Sequence, residues 1–290
     1  MTPSWQRKFA RAEVHLEEIA HLVAGFLATQ PFGAIEEVNE SDTYGGTSGF
    51  ASVSHAWRAV IREKPPADWS PLIGECLYDL RSSLDHMAWA LAGGQGAKTA
   101  FPVFTDRSNY ARVTPGQHLR YVRKDAHDFI ESLQPYHHEK GAEASMLYLL
   151  DRLTNDDKHR ELLGTEVGVI HTHVDKPVGE PAQGDQLVFE FPPRDQLFID
   201  GGMLAKYHTS NPRVHVPLRF TFTVALDPAG SAHGLALLTC LGTFALDVAL
   251  ILREFERMFF AGQLAQRTCI PLKDIADFVS EDGYDQAGKS

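Results

Sequence analysis

The chain has 290 residues, 43% of them hydrophobic and 22% charged, which is enough for a domain with a substantial core and excludes a largely disordered chain. A formal net charge of −11 excludes the broad electrostatic attraction behind non-specific nucleic-acid binding, so any contact with RNA would be local. The three widely spaced cysteines, Cys76, Cys240 and Cys269, fit neither a disulfide framework nor a zinc ribbon, and a reducing cytoplasm is the expected compartment.

The opening stretch MTPSWQRKFARAEVHLEE lacks the apolar core and small-residue cleavage site of an export signal. Phe9, Val14, Ile19, Leu22, Phe26 and Leu27 fall near helical spacing, which predicts a long amphipathic helix over 4–29 that Pro31 ends. FGAIEEV and ASVSHAWRAVI, joined through TYGGTSG, predict a β-hairpin closed by Lys64-Pro65-Pro66. Asp68-Trp69-Ser70-Pro71 and Gly93-Gly94 are start and stop signals for a helix over 70–92. Residues 95–122 read as irregular, DAHDFIESL as a short helix and QPYHHEKG as a turn, before another long helix over 142–163.

VGVIHTHV, QLVFEF, QLFI and VHVPLRFTFTVAL, separated by Gly, Pro and Asp clusters, predict an antiparallel meander over 165–226. GLALLTCLGTFALDVALIL is about long enough to cross a bilayer, but it carries Asp247 and runs on into REFERMFF. It is read as the most buried helix of a bundle, over 234–262, and no membrane partner is expected. Residues 1–278 then form a single α+β domain, with 279–290 a disordered tail. The expected architecture is a bundle of about four long helices with an N-terminal β-hairpin and an antiparallel β-meander inserted before the last helix.

Two helices carry the polar residues of interest. At about 100° per residue, the helix over 70–92 places Ile73, Leu77, Leu80, Leu84, Met87 and Leu91 on its core side. Glu75, Asp79, Ser82 and His86 line the opposite side, flanked by Tyr78, Asp85 and Trp89. Aromatic side chains exposed among carboxylates suggest a surface for a partner subunit, another segment or a ligand, so Tyr78 and Trp89 are candidate partner-surface residues. In the helix over 142–163, Met146, Leu149, Leu150 and Leu153 form an apolar stripe that continues onto Asp157 and Arg160. Charges at core positions need partners, and Asp247 is the expected one for Arg160 or Arg81.

The segment Arg81-Ser82-Ser83-Leu84-Asp85-His86 resembles the motif of the HEPN superfamily, helical-bundle proteins whose nuclease members carry an arginine and a histidine four to six residues apart. Position 82 is Ser where many members have Asn, Asp or His. LRSSLDH and NDDKHR together also resemble a pairing found in bacterial proteins of unassigned function. The superfamily resemblance implies a symmetric dimer that cleaves RNA without metal, with Arg81 and His86 as catalytic residues. Asp85, Asn155, Asp157, Lys158, His159, Arg160 and Asp247 would form the supporting wall of that site. A histidine can move the proton of a ribose 2′-hydroxyl while an arginine stabilises charge on the phosphate.

The expected function is therefore a HEPN-like metal-independent endoribonuclease, or a toxin-like or defence component, acting as a homodimer and reaching RNA through local basic residues. The alternative is a non-catalytic α+β binding or assembly protein. RVTPGQHLRYVRKDAH, the densest basic stretch, could hold phosphates. A weaker reading places a metal on His171, His173 and Asp175 of one strand face, with His208 or His215 completing it. His137-His138-Glu139 reads as an exposed loop. No Walker loop, dinucleotide fingerprint, nucleophile elbow or paired CxxC is present, and neither a nucleotide, another cofactor nor a metal is assigned.

Overall fold

The computed structural model describes residues 2–45, 50–159, 164–179, 183–192, 199–226 and 234–260. The first helix, α1 (Ser4–Ala28), buries Trp5, Phe9, Ala12, Leu16, Ile19, Val23 and Phe26. These positions alternate steps of four and three, the seam of a helix packed lengthwise against a partner. Val14 and Leu22, which the sequence grouped with that stripe, are exposed instead. Gln30, with φ 54°, turns the chain out of α1 ahead of Pro31.

The chain then forms β1 (Phe32–Tyr44) and β2 (Phe50–Ile61), which pair antiparallel with an irregularity between Asn39 and Asp42. The next helix is α2 (Ser70–Leu91), with a proline in its first turn, where a missing N–H costs nothing. Ile73, Leu77, Leu80, Leu84, Met87 and Leu91 are buried, again in steps of four and three. α2 lies antiparallel to α1: Trp69 stacks edge-on against Phe26, Glu75 reaches His15, and Asp79 reaches Lys8.

Three more helices follow, α3 (Arg107–Val113), α4 (His127–Ser132) and α5 (Met146–His159). The strands β3 (Thr165–Val174), β4 (Leu187–Glu190), β5 (Met203–Thr209) and β6 (Leu218–Leu226) precede the last described helix, α6 (Leu237–Phe259). α1, α2, α5 and α6 enclose the main core, where each fully buried Leu or Phe contributes about 1.5–3 kcal/mol. Trp5 Nε1 donates to Glu256 Oε1 at 2.9 Å, joining the start of α1 to the end of α6.

The expected architecture of four helices with a separate hairpin and one meander is overturned. Among the described residues there are six α-helices and two antiparallel sheets. One sheet runs in the order β1-β2-β5-β4, so the hairpin is built into it, while β3 and β6 pair as a second sheet. The chain leaves the second sheet after β3, adds β4 and β5 to the first, and returns for β6.

β5 escaped the sequence reading because both of its faces are covered: Leu204, Ala205, Tyr207 and His208 are all buried, which erases the alternation that marks a half-exposed strand. QLFI, read as a strand, lies mostly outside the described residues. α3, at 7 residues, is too short for a helical period to register in the stretch read as irregular, whereas α4 falls within DAHDFIESL, the short helix the sequence predicts. Trp57, Ala205, Tyr207, Val214 and Val216 form a second, smaller core on the first sheet. Val167, Val224 and Leu226 of the second sheet belong to the main core. No helix among the described residues is long and apolar enough to cross a membrane.

Candidate functional site

Arg81 sits in the middle of α2, and its guanidinium points into a polar junction. Nε donates to Asp151 Oδ1 at 2.8 Å, Nη1 to Asp85 Oδ1 at 2.6 Å, and Nη2 to the Phe101 carbonyl at 2.8 Å. Asp85 Oδ1 also accepts from Phe101 N at 2.9 Å, and Asn155 Nδ2 donates to Asp151 Oδ2 at 3.1 Å. Burial opposes the positive charge, but Asp85 and Asp151 outweigh it and hold the Arg81 proton more tightly than usual. Two carboxylates therefore neutralise the cation, and the junction fastens residues 101–104 to α2 and α5. Gln134 completes that clamp by donating to Pro102 O and accepting from Phe104 N.

His86 does not share this junction. It lines an open cleft of about 450 Å³ together with Ser4, Ser82, Asp85, Trp89 and Thr99. Asp85 is the link, since it lines the cleft while binding Arg81. Tyr78 and Trp89, both more than one-third exposed, lie on one line of α2 with Ser82 and Asp85, at i, i+11, i+4 and i+7. The line runs ~16 Å along the helix axis. Lys8 lies over the Tyr78 ring, 4.9 Å from its centroid.

The polar line opposite the core stripe is solvated only in part, with Glu75 exposed at one end. Asp79 and Ser82 are buried, because α1 crosses this side and sends Lys8, Arg11 and His15 toward Asp79 and Glu75. The sequence contains the answer in Lys8, Arg11 and His15, which share one face of α1, although their pairing across helices depends on the antiparallel register.

On α5, Leu149, Leu150 and Leu153 are buried and Asp157 continues their stripe. Gly74 of α2 supplies its space: a Cβ added there would overlap both carboxylate oxygens of Asp157. Asn155 is exposed on the side of Asp151. The side chains of Lys158 and His159, and all of Arg160, lie outside the described residues. Asp247 does not partner Arg81. It lines a separate apolar cleft of about 290 Å³ with Leu133, His138, Met146, Phe244 and Ile251, and burial raises its carboxyl above the ordinary range. The residue that sequence reasoning missed is Asp151, four positions before Asn155 and therefore on the same face of α5.

In the basic stretch, Arg123 is spent on Asp125, and Arg120 covers Tyr121 at 5.3 Å. His118, half-buried near Arg81, is held more neutral than usual by burial and by that cation.

His171, His173 and Asp175 do not form a ligand set. The two imidazole centroids are 5.9 Å apart, and Arg219 grips Asp175 with two hydrogen bonds. Among the described residues, the ligand-bearing side chains that do converge are Glu36, His55 and His215. Glu36 Oε1 lies 2.6 Å from His55 Nδ1 and 3.0 Å from His215 Nε2. Comparison with family models, with curated proteins and with solved structures gives no match for this chain.

Proposed function

We propose that this chain is a non-catalytic α+β binding protein that recognises its ligand or partner along the Tyr78–Trp89 side of α2. The observation that carries this reading is the neutralisation of Arg81: Asp85, Asp151 and the Phe101 carbonyl occupy the cation that phosphate chemistry would need. Such a junction orders the cleft wall without entering the cleft. The cleft itself offers the Trp89 indole, the Asp85 carboxylate and the His86 imidazole, a set suited to a group with an apolar body and a hydrogen-bond donor. Trp89→Ala should abolish capture of that ligand while leaving the thermal midpoint nearly unchanged. Retained capture would refute the reading.

A second reading rests on His86, whose imidazole borders the open cleft beside Ser82 and Asp85. In it the protein is a HEPN-like dimeric, metal-independent endoribonuclease or toxin-like component, with His86 moving the proton and Arg81 holding Asp85 in place. Purified protein would then cleave RNA and His86→Ala would not, with both forms equally folded and equally dimeric. Absence of cleavage by the wild-type chain, or equal cleavage by the variant, disposes of it.

A further inference from the structure

The cluster of Glu36, His55 and His215 is assembled by the first sheet and the segment that carries His215. Glu36 and His55 are diagonal neighbours on adjacent strands, since Glu36 pairs with Trp57 and Val38 with His55, so both side chains project from one face. His215 comes from the segment that crosses this face before β6. Its backbone exchanges two hydrogen bonds with Val178, at 3.0 and 2.7 Å.

Tyr207 braces both histidines. Its ring stacks on His55 at 4.6 Å and 15°, and its hydroxyl accepts from Val216 N at 2.9 Å, immediately beside His215. One buried side chain thus fixes the plane of the first imidazole and the backbone that carries the second.

We propose that Glu36, His55 and His215 form a binding site for a divalent first-row transition metal of the zinc type. The donor chemistry suits such an ion: two imidazoles and one carboxylate, the set used by open zinc and non-haem iron centres and one that hard Mg²⁺ does not favour. The spacing suits it as well. Ligand atoms around a tetrahedral zinc stand ~3.3–3.5 Å apart, given bonds of ~2.0–2.2 Å. Here Nδ1 of His55 and Nε2 of His215 are 2.6 and 3.0 Å from Glu36 Oε1, and Nε2 is 3.3 Å from Oε2. All three ligand atoms lie within 4.8 Å of one another, so the widest separation would close by at most ~1.5 Å to reach the tetrahedral spacing.

Three protein ligands leave at least one position for water or substrate. His55 also borders a cleft of about 700 Å³ that is lined by Glu40, Asp42, Ser52 and Ser210. The site is independent of the α2 cleft, so the failure of either reading leaves the other standing.

The test is metal binding by the full, untagged chain after chelator treatment, titrated with Zn²⁺, Co²⁺ and Mg²⁺ separately. One equivalent of Zn²⁺ and of Co²⁺ should bind, Co²⁺ should develop visible d–d absorption, and Mg²⁺ should not compete. His215→Ala removes a half-exposed ligand and should leave the fold intact while weakening Zn²⁺ binding by at least the ~10–100-fold that loss of an outer-shell partner costs. His171→Ala should bind as the wild type does. The proposal is overturned by a wild-type chain that takes up no stoichiometric Zn²⁺ or Co²⁺. Equal affinity in His215→Ala, or loss of binding in His171→Ala alone, overturns it too.

Discussion

Gly74 of α2 and Asp157 of α5 occupy complementary space, the missing side chain of one making room for the carboxylate of the other. A helical Gly→Ala change ordinarily stabilises by about 1 kcal/mol. Here the methyl would strike a side chain packed between two helices, and overpacking of that kind costs about 1–3 kcal/mol. Gly74→Ala is expected to lower stability in urea denaturation, whereas the same change in an Asp157→Ala background should raise it. A Gly74→Ala protein more stable than wild type would show that Asp157 moves aside freely.

Arg81 links α2, α5 and the 101–104 segment, so its loss strands two carboxylates. Removing one partner of a buried ion pair costs about 3–5 kcal/mol, and the partial exposure of Asp85 and Asp151 reduces this to about 2–4 kcal/mol. Arg81→Ala should unfold at correspondingly lower denaturant. Arg81→Lys should recover only part of the difference, because an ammonium cannot reach Asp85, Asp151 and the Phe101 carbonyl together. Full recovery by lysine would mean that charge alone matters at this junction.

Asp247 gives a pH prediction of definite sign. Its folded pKa is raised by desolvation, whereas in the unfolded chain an aspartate titrates near ~3.9. Ionisation is thus harder in the folded state, and Asp247 subtracts stability above its folded pKa. That penalty fades as pH falls through the folded value toward ~3.9. Asp247→Asn should be more stable than wild type at pH 7 and match it near pH 4. A gap that widens in acid would contradict the assignment.

Tyr207→Phe keeps the ring on His55 but deprives Val216 N–H of its acceptor. Leaving a buried donor without a partner costs about 1–3 kcal/mol. The variant should lose stability in that range, and the Val216 amide should exchange faster with solvent. Unaltered Val216 protection would show that another group holds this segment.

Several features were legible in the sequence because they are local. Pro71 and Gly93-Gly94 bracket α2, and the four-three spacing from Ile73 to Leu91 marks its buried side. The site was less legible because its contacts are not local. Asp151 meets Arg81 across 70 positions, and His215 meets Glu36 across 179. Nothing in the spacing of either residue signals its partner. Glu36 and His55 share a face only through the register of β1 on β2, which an irregularity at Asn39 and Asp42 leaves intact at that end of the hairpin.

The bond between Trp5 and Glu256 also sets the order in which a growing chain can finish itself. α1 leaves the ribosome before the other described helices, yet part of its apolar seam is covered by the last described one. During synthesis at ~5–20 residues per second, Trp5 therefore waits more than ~10 seconds for its partner. The early helices must remain soluble as an unfinished pair throughout that interval, and a product cut short before α6 would keep that surface bare.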